Sequence, residues 1–207
     1  MSFSKDTVGL KNVRHTVVLL AICQALTETG NIVIGVTSAL TGYMLADDKA
    51  LATVPVALLF TFVMLSTFPA SLFMRRVGRR IGFTTGQLIG MSAAGISVFA
   101  IFQDNFWLFA VGGALFGIHG AFFQYYRFAA ADIAGERYRS RAISFVLAGG
   151  IVGAIFGPEL AKVSRDLFQP VLFAGNFIVI VILCLTTVAI LQFIRIPRLS
   201  ETQQIDT

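Results

Sequence analysis

The sequence predicts an all-α integral membrane protein: six transmembrane helices in one bundle, both termini cytoplasmic. Three observations predict this. Mean hydropathy is +0.80, with 56% hydrophobic and 13% charged residues, more apolar surface than a soluble core of 207 residues can hide. Six apolar runs, each near the ~20 residues that cross a ~30 Å hydrocarbon core, are joined by short polar connections. The sixteen Lys and Arg concentrate in alternate connections, the pattern that sets topology.

The net charge of +5 belongs to those short connections, so nucleic acid is not an expected partner. Cys23 and Cys184 lie inside apolar runs, without metal-ligand spacing or a disulfide framework. No cofactor or metal is expected.

The first span covers about 15–42. It follows Lys5, Lys11 and Arg14, exceeds a signal-peptide core and lacks a small-residue cleavage pattern, so it is expected to be retained. At ~100° per residue, Gln24, Glu28, Asn31 and Gly35 form one polar stripe on it. The second span, 50–73, carries Pro55 and Pro69, each of which removes a backbone bond and can bend the helix. In the third, 81–102, Gly82, Gly86 and Gly90 share a face that another helix can approach closely. The fourth, 105–134, holds His119, Gln124, Arg127 and Asp132 within an apolar run. The fifth covers 141–163, and the sixth, 170–194, is apolar almost all round apart from Asn176 and is expected to face lipid. One bundle is expected over 1–194, followed at 195–207 by a cytoplasmic tail that resembles the start of a loop between two such bundles.

Placing the N-terminus inside puts the basic residues of the N-terminal segment, of 75–80 and 137–141, and Arg195 and Arg198 in the cytoplasm. Lys49, Lys162 and Arg165 remain outside, with Asp47, Asp48, Asp104 and Asp166. Trp107 falls at the outer interface, which suits an amphipathic ring.

Ionisable groups at membrane depth usually line a bundle interior or a water-filled path. A pathway between the first and fourth spans is therefore expected, bordered by Gln24, Glu28, Asn31, His119, Gln124 and Arg127. Glu28 lies near mid-span, where an ionised side chain costs ~2.5–3.5 kcal/mol, which suits a proton-coupling carboxylate. A permanent structural partner for Glu28 is the alternative. His119, with an ordinary pKa of ~6.5, is either a relay or a packing residue. Arg127, about two turns nearer the cytoplasm, either binds an anionic group or snorkels to water. Asp132 and Glu136, close to the 75–80 arginines if the loops adjoin, offer a cytoplasmic latch.

The sequence RRVGRR at 75–80, with Arg76, Gly78, Arg79 and Arg80, and GGIVGAIFGPELA at 149–161, with Gly149, Gly153, Gly157 and Pro158, resemble the N-terminal half of a major facilitator superfamily transporter. The second stretch is similar to the antiporter motif of proton-driven exporters, and RYRSRAIS precedes it. The resemblance implies that the first and fourth helices line a central cavity while the third and sixth face lipid. It departs from the pattern in two places. Arg75 and Ser71 stand where an acidic residue and a glycine are usual, and Gly113 stands where exporters often carry an arginine. The proton-coupling role of that arginine is not carried over.

The function implied is that of a secondary transporter half-unit in a bacterial inner membrane, moving a small solute by alternating access, with proton-coupled efflux as the finer expectation. Transporters of this superfamily have two six-helix halves. The expectation is therefore a homodimer, a second half on a separate chain, or a truncated product. The alternative is a non-transporting assembly partner or scaffold that keeps the half-bundle. An enzyme is not expected, because no metal-binding HExxH, nucleophile elbow or phosphate loop occurs.

Overall fold

Where no water reaches the backbone, each N–H and C=O must find its partner within the chain, and a helix satisfies this segment by segment. The computed structural model describes residues 3–194, with side chains from Val13 onward except that of Arg137. The side chains of Lys5 and Lys11 and the tail 195–207, with Arg195 and Arg198, lie outside the described residues. The elements are α1 (Phe3–Leu45), a single 3-10 turn (Lys49–Leu51), α2 (Val54–Val77), α3 (Arg79–Phe102), α4 (Phe106–Phe123), α5 (Tyr126–Ser164) and α6 (Ala174–Phe193). They provide six helical stretches long and apolar enough to cross a membrane.

Several boundaries differ from the sequence expectation, each for a local reason. The 75–80 connection is almost entirely helical: only Gly78, at φ 91°, interrupts α2 and α3, and its N–H closes on Met74 O at 2.9 Å. The connection expected at 135–141 is likewise helical except at Gly135 (φ 68°, ψ 171°). The fourth crossing therefore runs Phe106–Glu136, and the fifth Tyr138–Ser164. The fourth is itself discontinuous, because regular helix stops at Phe123 and resumes at Tyr126. The sixth helix begins at Ala174 rather than at 170, after Phe173 in a left-handed conformation (φ 66°). Asn105 caps α4, its side chain accepting from Leu108 N at 3.0 Å.

Helix association in a bilayer relies on close van der Waals fit, and small residues permit it. The glycines of α3 meet three neighbours as their spacing predicts. A Cβ added at Gly82 would strike Met74 of α2, one at Gly86 would strike Phe122 of α4, and one at Gly90 would strike His119. On α4, Gly113 and Gly117 lie directly on the α2 backbone, where an added Cβ would come 2.4 Å from Pro55 O and 2.3 Å from Leu59 O. No arginine fits at Gly113 in this packing. The α6 helix is not wholly lipid-facing. Ala174, Asn176, Phe177 and Ile180 are buried, and the Ser164 hydroxyl donates to Asn176 Oδ1 at 2.9 Å.

The fourth crossing is the centre of the bundle, with 61% of its apolar window buried, against 11% and 17% for the second and fifth. Those two peripheral helices present Phe60, Met64, Phe68, Ile151 and Ile155 outward. The close contact at Gly117 gives a direct test. Gly117→Ala should lower stability by about 1–3 kcal/mol, since a backbone carbonyl cannot retreat from the new methyl. Gly95→Ala, with nothing within 4 Å, should leave it unchanged or slightly raised, as read by thermal unfolding in detergent.

Candidate functional site

A lateral cleft of about 470 Å³ opens between α1, the break in the fourth crossing, and α5. From α1 come Gln24 and Glu28, one helical turn apart. The break contributes Phe123, Gln124 and Arg127, and α5 forms the far wall with Leu147, Gly150, Ile151 and Ala154. Of the six residues expected along the pathway, four therefore meet here.

Asn31 stands a turn beyond Glu28, its side chain hydrogen-bonded to the Glu28 carboxylate rather than lining the cleft. His119 points elsewhere. It is 3% exposed, its Nδ1 lies 2.9 Å from Gly86 O, and its ring stacks on Phe123 at 6.3 Å. Its place is the α3–α4 contact, so the geometry does not bring it to Glu28.

The charges in the cleft are not neutralised by one another. Among the described residues neither Glu28 nor Arg127 forms an ion pair. The Arg127 guanidinium carbon sits 5.1 Å from the Phe128 ring, and its buried Nε has no hydrogen-bond partner. An acid, a guanidinium and two carboxamides thus face one space that is otherwise apolar. Such a site can hold a compact solute by several polar contacts while its body lies against Phe123, Leu147 and Ile151.

The wall formed by α5 explains why α1 stands where it does. A Cβ at Gly149 would lie 2.3 Å from Ala21 O, and one at Gly153 would lie 2.5 Å from Ala25 O and 2.9 Å from Glu28 Cβ. At Gly157 the obstacle is Ile32 Cβ, at 2.6 Å. These three glycines form a seam along α1, and the middle one bears on the residue that carries the carboxylate. Pro158 lacks the N–H that would close on Ala154 O, and Ala154 lines the cleft. Gly150, beside the seam, is open: its Cβ would meet only Gln24, at 3.6 Å. The sequence reading passed over Leu147, Gly150, Ile151 and Ala154, although their three- and four-residue spacing marks one helical face.

At the 75–80 end, Arg79 is ion-paired with Asp132, half-buried, which joins the start of α3 to the fourth crossing three residues before its break at Gly135. Arg80 donates to Gln192 O and Oε1, both at 2.8 Å, tying α3 to the end of α6. Arg76 is exposed. Toward the opposite ends of the helices Asp47, Asp48, Asp104 and Trp107 line a second depression of about 390 Å³.

Fold and cleft together define a membrane-transporter half-bundle, with a polar cleft at the broken helix. The family comparison agrees: the model of the Major Facilitator Superfamily matches residues 18–205, and the chain belongs to that family, whose members transport solutes rather than catalyse reactions. The chain is 38% identical over 188 residues to the riboflavin transporter RfnT of Brucella anthropi, an alignment covering 91% of this chain and 47% of that protein. It is 30% identical over 155 residues to the uncharacterized MFS-type transporter YdeG of Bacillus subtilis, covering 74% of this chain and 36% of that one. It thus spans about half the length, or less, of these curated relatives.

The two neighbouring glycines of α5 are expected to part under substitution. Gly153→Ala should destabilise the protein by about 1–3 kcal/mol by forcing α1 away. Gly150→Ala should keep the melting temperature and narrow the cleft, readable as slower reaction of a cysteine placed at Ala154 with a water-soluble maleimide.

Proposed function

We propose that the chain is one six-helix unit of a secondary transporter, seated in a bacterial inner membrane with both termini in the cytoplasm, that passes a small solute through the cleft between α1, α5 and the fourth crossing by alternating access. The observation that carries this reading is the set of polar groups, Gln24, Glu28, Gln124 and Arg127, with neither charge in an ion pair among the described residues, around one otherwise apolar space. Coupling to protons falls to Glu28. A carboxyl group at membrane depth changes charge when it takes or loses a proton, and a solute bound beside it feels that change. Asn31 orients the carboxylate, and the antiporter-like glycines of α5 support efflux as the direction.

The solute proposed first is riboflavin, the compound named for the Brucella anthropi relative. Its support in the cleft is chemical: the carboxamides of Gln24 and Gln124 can both donate to and accept from the edge of a planar heterocycle, and Phe123 offers a ring to stack on. A second six-helix unit, another copy of this chain or a separate one, would close the open side against the apolar faces of α2 and α5. The Arg79–Asp132 pair is proposed as the cytoplasmic latch, since it ties the start of α3 to the end of the fourth crossing.

Riboflavin movement into or out of vesicles reconstituted with the chain, with and without an imposed pH gradient, tests this. The wild-type chain is expected to move riboflavin faster with the gradient, and Glu28→Gln is expected to fall to the rate seen without it. Unchanged gradient dependence in Glu28→Gln would remove that residue from coupling. No movement of any tested solute, together with stable co-purification of a second membrane protein, would favour the assembly-partner reading.

A further inference from the structure

Beside the cleft, three helices meet at a buried polar node that is not part of its lining. The amide nitrogen of Gln87, on α3, donates to Thr27 Oγ1 of α1 and to the Tyr126 hydroxyl at the start of α5, each at 2.9 Å. All three residues are buried, Gln87 at 2% and Tyr126 at 1% exposure. Tyr126 is held further by an edge-on contact with Phe83, 4.6 Å between ring centroids. Thr27 immediately precedes Glu28, and Tyr126 immediately precedes Arg127. The node therefore holds both helices at positions about 100° around from the acid and the guanidinium.

It also sits at an irregular point of the fourth crossing. Between Phe123 and Tyr126 the regular helix gives way to a tighter turn, in which Tyr125 N bonds Phe122 O at 3.2 Å. The Tyr125 hydroxyl donates to Thr67 O of α2 at 2.9 Å, so consecutive tyrosines tie the break to α2 on one side and to α3 and α1 on the other. Gln87 is poorly suited to packing alone. Its Oε1 is buried without a partner, an unfavourable state that an apolar side chain of similar size would avoid.

We propose that Gln87, with Thr27 and Tyr126, is a positioning group for the transport site: it fixes the register of α1 against the broken helix and so sets how Glu28 and Arg127 face each other across the cleft. This rests on the cleft being the solute pathway, but its geometry can be tested without knowing the solute. None of the three touches the solute.

The test places a cysteine at Ala154 in the cleft and, in a separate protein, at Gln103 near the opposite helix end, leaving the buried Cys23 and Cys184 in place. Reaction with a water-soluble maleimide is timed in reconstituted vesicles. Gln87→Leu, Thr27→Val and Tyr126→Phe should each speed labelling at 154 by roughly two- to tenfold, the lower part of the range of couplings within one hydrogen-bond network, with labelling at 103 unchanged. The Thr27→Val, Tyr126→Phe double variant should do no more than Gln87→Leu, and Gln87→Glu, which keeps shape and hydrogen bonding when protonated, should stay near the parent rate. If Gln87→Leu does not fold, the two milder variants and their double carry the comparison. Equal labelling at 154 in all folded variants, or equal acceleration at 154 and 103, would overturn the proposal. Riboflavin movement is scored separately on the unsubstituted chain, so its failure removes the substrate and leaves the labelling comparison to decide the node.

Discussion

The arrangement depends on backbone approaching backbone at glycine. Lipid tails are as apolar as leucine, so burying an apolar side chain between two membrane helices gains little over leaving it in lipid, and close fit must supply the attraction. The contacts of Gly113 and Gly117 with α2 and of Gly149, Gly153 and Gly157 with α1 are among the places where this fit is tight. The first pair seats the peripheral second helix on the central fourth crossing. The second set seats α1 on α5 with Glu28 at the middle of the seam. Had the seam run one residue out of phase, about 100° around α1, the carboxylate would have faced a neighbouring helix instead of the cleft.

A consequence is that the two sides of the cleft are built differently. Its α1–α5 edge is set by atoms that cannot move apart without losing three contacts over about two turns. Its remaining edge is the fourth crossing, where helix is interrupted at Gln124 and Tyr125 and again at Gly135. Interrupted helix inside a membrane is tolerated where it is buried in protein or lines a polar space, and Gln124 and Arg127 line such a space here. The tyrosine hydroxyls at the break bond to atoms on neighbouring helices and hold the irregular segment in place.

Much of this was legible in the sequence, and the limits have physical causes. Spans were readable because a ~30 Å barrier demands long apolar runs, and the polar stripe of α1 because 3.6-residue periodicity survives in any helix. The α3 glycines announced close packing by spacing alone. Periodicity says which residues share a face; it does not say which neighbour that face meets. His119 and Gln124 show the difference. Five residues of continuous helix separate them by about 140°, so both could not point into one cleft, yet both are polar at similar depth and invited grouping. The break at 124–125 carries no proline or glycine, and nothing in the local composition announced it. Gln87 was hidden for a related reason: surrounded by glycines on a helix expected to face lipid, it offered no stripe of its own.

The cleft chemistry and the glycine seam bear on each other. Gly153 touches the α1 backbone and also the Cβ of the residue that carries the acid, so the backbone of Glu28 cannot shift toward or away from Arg127 without straining that contact. On the proposed reading, a proton arriving at Glu28 weakens its attraction to the guanidinium across the cleft, and the response open to the protein is movement of the wall with the interrupted helix. That wall ends at Asp132, ion-paired to Arg79 at the start of α3. A change of charge at the cleft and a change of contact at the helix ends would then belong to one motion, with the interrupted fourth crossing as the part that bends.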